Sequence, residues 1–185
     1  YRGSAGYGRD FIVAADQEWG GKMLTDLVDG VNWAVKQGYV DPSRVAIYGY
    51  SFGGYSALAG AAFTPDVFSC AVDVMGISNL LTFLESIPPY WESYRQLLYE
   101  RVGHPIEDRE LLRSRSPLFA ADQIEIPMLI VQGANDPRVS QREAEQIVAA
   151  LEENGVEYRY LLFEDEGHGL ARPENRLEFY TAAEQ

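Results

Sequence analysis

The chain has 185 residues, the length of one globular domain, and 46% of them are hydrophobic, enough to bury a real core. Its net charge of -13 argues against nucleic acid and anionic membrane surfaces as partners, since both would repel it. A single cysteine, Cys70, excludes an internal disulfide and a cysteine-based zinc site, and its apolar neighbours suggest a small core residue. No metal or other cofactor is implied by any cluster of ligating residues. No apolar run approaches a membrane span, and the first residues lack the apolar stretch of a secretory leader. A reducing cytoplasm is therefore the expected compartment. Beginning at Tyr1 in a Gly-rich loop and ending at Gln185 in a helical pattern, the chain reads as part of a longer protein.

Residues 1–10 hold three glycines and read as loop. From Gly20 to Gly38 the spacing of Met23, Leu27, Val31, Ala34 and Val35 predicts a helix. After the Asp41-Pro42 turn, residues 45–49 form a short apolar run suited to a strand buried on both faces. An Ala-rich helix follows over 55–63, and residues 70–75 form a second strand candidate. The segment 79–115 breaks the rhythm. It is helical in parts and aromatic-rich (Phe83, Tyr90, Trp91, Tyr94, Tyr99), so it forms either a pocket wall or extra packing. Residues 128–132 are a third strand. A helix spans 140–154, with Ser140 and Glu143 placed as a capping box and Gly155 as its left-handed stop. A fourth strand covers 158–163, and a last helix starts at Pro173. Such alternation predicts an α/β fold, a mostly parallel sheet with helices on both faces.

Gly49-Tyr50-Ser51-Phe52-Gly53 fits the G-x-S-x-G nucleophile elbow, between a predicted strand and a predicted helix. A serine on so sharp a turn takes a strained backbone, and the glycines two residues to either side are expected to be needed for lack of a Cβ. The reward is a hydroxyl exposed at a helix N-terminus, where the Phe52 N–H can face a developing oxyanion.

A serine hydroxyl needs a base, and the chain offers two histidines. His104, between a helical stretch and Pro105, reads as a helix-end residue. His168 follows the strand ending at Phe163, in a loop whose glycines suggest mobility and exposure, at the strand end where α/β sheets place their chemistry. Asp165 and Glu166 beside it read as solvated acids. Asp136, just past the third strand, could be an ordinary Asn-Asp-Pro turn. The order Ser51, Asp136, His168 is nevertheless the order of triads in α/β-hydrolases. The expected catalytic set is Ser51, Asp136 and His168, with the Phe52 amide as oxyanion donor.

With these residues placed, the sequence resembles the catalytic domain of the prolyl oligopeptidase family, in its acylaminoacyl-peptidase and dipeptidyl-peptidase-like branch. The likeness rests on Arg2-Gly3-Ser4, Asp41-Pro42-Ser43-Arg44-Val45, Gly49 to Tyr55, Asn135-Asp136-Pro137-Arg138-Val139 and Asp165-Glu166-Gly167-His168-Gly169. It implies an α/β-hydrolase fold of which residues 1–185 are a part. It further implies that the first strands, a second oxyanion donor and a β-propeller precede them. It implies a serine peptidase that cleaves short peptides through an acyl-enzyme. Tyr90 and Trp91 are the expected lining of the acyl-side pocket. An esterase on the same fold and a non-catalytic binding module are the alternatives. The expected partner is a peptide substrate, and a homo-oligomer is left open.

Overall fold

The computed structural model describes residues 1–185, all of the chain. Four strands, β1 (Ala46–Tyr50), β2 (Cys70–Val74), β3 (Met128–Gly133) and β4 (Tyr158–Phe163), form one parallel sheet in the order β1-β2-β3-β4. Helices α1 (Arg9–Val13) and α2 (Lys22–Lys36) precede β1, and α3 (Phe52–Phe63) joins β1 to β2. Between β2 and β3 run α4 (Leu80–Glu85), a 3₁₀ turn at Pro89–Tyr94, α5 (Arg95–Val102), α6 (Arg109–Ser114) and a second 3₁₀ segment, Pro117–Gln123. Helix α7 (Gln141–Glu153) joins β3 to β4, and α8 (Pro173–Ala183) closes the chain.

Alternation along the strands sorts side chains onto the two faces. Ala71 of β2 with Met128 and Ile130 of β3 pack against Leu58, Ala61 and Ala62 of α3 and Ala144, Ile147 and Leu151 of α7. Val74, Leu129, Val131, Leu161 and Phe163 point the other way, onto Phe179 and Ala182 of α8. Helices thus cover both faces, as the pattern predicts. A third apolar cluster lies beside the sheet, where Leu80, Leu81, Phe83 and Leu84 of α4 meet Leu24, Tyr55, Val102, Leu112 and Val139. The segment 79–115 therefore contributes core packing, chiefly through α4 and through Val102 and Leu112. Its exposed parts include the 3₁₀ turn, where Tyr90 is open and Trp91 half-buried, and stretches of α5 and of residues 106–110.

Several expectations need correction. Within residues 1–185, β1 is less covered than the apolar run suggests. It pairs only with β2, and Gly49 is its one buried residue. Residues 9 and 10 already belong to α1. Cys70 opens β2 and is half-buried rather than enclosed. Ser140 does stand at the N-cap of α7, but no capping box forms: the Glu143 N–H donates to the Ser140 carbonyl rather than to its hydroxyl, and the Glu143 side chain is turned inward. Gly155, at φ 69°, is the left-handed stop expected, and Pro173 opens α8. No helix is long and apolar enough to cross a membrane.

Candidate active site

The sheet register sets the site. Tyr50 lies opposite Val74, Val74 opposite Val131, and Gly133 opposite Phe163, so β1, β3 and β4 end at nearly one level. Ser51, Asp136 and His168 each sit in the loop just past one of those ends.

At the first, the chain turns from β1 into α3 within one residue. Ser51 takes φ 58° and ψ −116°, a backbone conformation costly for any residue with a Cβ. The surroundings hold it there: its N–H donates to the Val74 carbonyl (2.8 Å), and its carbonyl accepts the Tyr55 N–H (3.0 Å). The Phe52 N–H opens α3 and has no intrahelical acceptor, so it remains available beside Ser51. The Phe52 ring is wedged edge-on against Trp19, 4.5 Å between centroids, and lies near Tyr55.

The glycine requirement is not quite the expected one. A Cβ on Gly49 would run into the backbone of Gly53, whereas a Cβ on Gly53 would meet nothing within 4 Å. The second crowded position is Gly54, where a Cβ would strike the Asp73 carboxylate and Gly76. The turn brings Gly53 close as backbone but aims its hydrogen outward, while Gly54 packs down onto β2.

The three predicted residues come together in one hydrogen-bonded chain. His168 Nε2 lies 2.9 Å from Ser51 Oγ, and His168 Nδ1 lies 2.6 Å from Asp136 Oδ2. The other Asp136 oxygen accepts the N–H groups of Arg138 (2.8 Å) and Val139 (3.0 Å), which fixes the carboxylate. The side chains of His168 and Asp136 are 6% and 0% exposed, so the His168 loop is not the open, loose element its glycines suggest. The loop is stapled to its neighbour: Asn135 donates from its backbone to the Glu166 carbonyl (2.9 Å) and from its side chain to the Glu164 carbonyl (2.6 Å).

Glu166 is also not a solvated acid. It is 2% exposed, and its carboxylate accepts the N–H groups of Ala171 (2.9 Å) and Arg172 (2.8 Å) and the Asn175 amide (2.9 Å). Burial alone would raise its pKa. The hydrogen bonds and Arg172 outweigh that and hold it below the usual carboxylate range. Asp165 does stay at the surface, paired with Arg172. His104 takes no part in the site: its ring packs on Tyr99 and its Nδ1 accepts from Ile106 and Glu107 N–H groups within its own turn. Tyr90 and Trp91 do reach the Asp136 loop, Tyr90 donating to the Pro137 carbonyl (3.4 Å) and Trp91 lying under the Arg138 guanidinium (5.9 Å).

Two buried carboxylates escaped the sequence reading. Asp73 on β2 is 1% exposed, and its Oδ1, against Gly54 and Gly76, has no hydrogen-bond partner. Burial pushes its pKa up to about 7. Glu143 is fully enclosed and accepts the Ser78 and Asn79 N–H groups, the Thr82 hydroxyl and the Gln146 amide. Burial raises its pKa despite these bonds. Glu143 has a sequence signal: it is four and eight residues before the buried Ile147 and Leu151, on the inner face of α7.

The chain is 53% identical, over its whole length, to dipeptidyl aminopeptidase BIII of Pseudoxanthomonas mexicana, of which it covers 27%. It is 48% identical over 96% of its length to dipeptidyl peptidase family member 6 of Caenorhabditis elegans, covering 24% of that protein. Among solved structures, a Mycobacterium tuberculosis puromycin-hydrolyzing peptidase superposes with a TM-score of 0.93 at 34% identity, over 99% of this chain and 27% of that one. The chain thus spans about a quarter of the length of the curated relatives it matches. Its sheet is that of the α/β-hydrolase peptidases, and the model of the prolyl oligopeptidase family matches residues 1–184: the chain belongs to that family.

Proposed function

We propose that this chain carries the catalytic centre of a serine peptidase acting on short peptides through an acyl-enzyme. The observation that carries the reading is the unbroken hydrogen-bond chain from Asp136 through His168 to Ser51. Ser51 Oγ attacks the scissile carbonyl while His168 Nε2 takes its proton. Asp136, locked by the Arg138 and Val139 N–H groups, holds Nδ1–H and stabilises the imidazolium. The Phe52 N–H points at the developing oxyanion, a contact whose loss typically costs about 10²–10³-fold. His168 then returns the proton to the departing amine. It next activates a water that attacks the acyl carbonyl and frees Ser51.

Tyr90 and Trp91, beside the Asp136 loop, line the acyl side of the site in this reading. The names of the two relatives above favour release of dipeptides from a free N-terminus over attack within a chain.

The test is hydrolysis by the full-length protein of dipeptidyl, aminoacyl and N-acylated anilides against simple aryl esters, with Ser51→Ala as control. Dipeptidyl anilide turnover that falls by about 10⁶-fold in the variant is the expected result. Ester turnover with inert anilides would replace the peptidase by an esterase. Turnover of neither, together with no fluorophosphonate labelling of Ser51, would leave a binding module.

A further inference from the structure

The triad distances explain what His168 does but not what keeps it in place. A histidine between two glycines, one of them (Gly169) at φ 149°, sits on backbone with little stiffness of its own. Two residues outside the triad fasten that backbone, one at the His168 carbonyl and one before the imidazole.

Behind His168, its own carbonyl oxygen accepts the hydroxyl of Tyr50. Tyr50 is the residue immediately before the nucleophile, and its ring lies 5.0 Å from the imidazole. The strand that presents Ser51 is therefore tied directly to the residue that must take the Ser51 proton. Ahead of His168, Glu166 folds the loop back on itself. Its buried carboxylate holds the N–H groups of Ala171 and Arg172 and the Asn175 amide at the start of α8, while its carbonyl accepts the Asn135 N–H from the Asp136 loop. One residue thus ties the His168 loop both to the carboxylate loop and to α8.

We propose that Tyr50 and Glu166 are positioning residues that fix the His168 imidazole between Ser51 and Asp136. The inference rests on the triad assigned above, not on the choice of peptide over ester. The Tyr50 hydroxyl bonds the His168 carbonyl and the Glu166 carboxylate bonds Ala171, Arg172 and Asn175, so each acts through the His168 backbone. Tyr50 is 43% exposed, and its hydroxyl adds little to the core. Proton transfer needs the base within hydrogen-bond reach, and a displacement of about 1 Å is enough to cost about 10²-fold.

The experiment compares Tyr50→Phe, Glu166→Gln and the double variant in the full-length protein. It reads kcat, KM, the rate of fluorophosphonate attack on Ser51, and the thermal midpoint. Tyr50→Phe keeps the ring and removes one donor. Glu166→Gln keeps the shape but sets an amide N–H₂ against backbone donors. Expected are a kcat lowered about tenfold by Tyr50→Phe and about 10²-fold by Glu166→Gln, KM within twofold, and labelling slowed in parallel. The double variant should lose less than the product of the two, because both bonds hold one loop. Unchanged kcat and labelling in Tyr50→Phe, at a wild-type midpoint, would overturn the proposal. So would losses confined to KM, or two losses that simply multiply. If wild type labels but leaves anilides untouched, the peptidase reading falls while the labelling rates still decide on Tyr50 and Glu166. A wild type that neither labels nor turns over any substrate overturns both.

Discussion

Asp73→Asn separates the energetics of the floor beneath Ser51 from its chemistry. The Asp73 carboxyl is enclosed between β2 and α3, with Oδ1 against Gly54 and Gly76 and no hydrogen bond. Burial raises its pKa from 3.8 to about 7. The Gly76 N–H, close by without completing a hydrogen bond, offsets part of that rise, and the Glu143 charge adds to it. In the unfolded chain the same carboxyl ionises at its ordinary value. Between pH 3.8 and 7 the unfolded state therefore binds fewer protons than the folded one, and folding stability falls as pH rises. At up to about 1.4 kcal/mol per pH unit, with the slope fading as the folded carboxyl ionises near 7, the loss between pH 5 and pH 7 comes to about 2 kcal/mol and approaches about 3 kcal/mol by pH 8. The amide introduced by Asp73→Asn has the shape of the carboxyl and no such titration. Urea unfolding of wild type and Asp73→Asn, followed by tryptophan fluorescence at pH 5 and pH 8, isolates the effect, because differences in packing cancel between the two pH values. The variant should gain about 3 kcal/mol on wild type in going from pH 5 to pH 8. A gap that stays constant to within about 0.5 kcal/mol would refute a buried, protonated carboxyl at this position.

The elbow glycines should divide sharply. Gly49→Ala and Gly54→Ala force a Cβ into backbone and should leave little folded or fluorophosphonate-reactive protein, whereas Gly53→Ala, with open space and a helical position, should raise the thermal midpoint by the equivalent of about 0.5–1 kcal/mol. Glu143→Ala leaves the Ser78 and Asn79 N–H groups, the Thr82 hydroxyl and the Gln146 amide without their acceptor. A loss of about 3–5 kcal/mol is expected, read by calorimetry as a midpoint roughly 10 °C lower.

What the sequence made legible and what it hid have separate physical causes. Strands β2, β3 and β4 were readable because residues 70–75, 128–132 and 158–163 are short runs rich in apolar and aromatic residues, of which β3 is buried throughout. Ala46, Ile47 and Tyr48 likewise have the composition of an inner strand; within residues 1–185 β1 pairs with β2 alone, and Gly49 is its one buried residue. The buried acids were hidden for a physical reason. Glu143 and Glu166 stand among other charged residues and look like surface chain, and what encloses them is a set of backbone donors from distant segments, Ser78 and Asn79 for one, Ala171 and Arg172 for the other. Backbone donors leave no mark in a sequence.

The candidate site was the easiest part to read, although its residues are 117 positions apart at the extremes. In a parallel sheet every strand ends at the same edge, and the register here brings Tyr50, Gly133 and Phe163 to nearly one level. A serine, an aspartate and a histidine placed just beyond those ends converge without any residue between them having to specify it. Locating the strands therefore locates the site. The precision of the site is a different matter, set by single bonds across the loops: the Ser51 N–H on Val74, the Asp136 carboxylate on Arg138 and Val139, and the Tyr50 hydroxyl on His168. Those bonds join residues that share no periodicity and no motif, so the sheet can be read from the chain while the alignment of its catalytic atoms needs the structure.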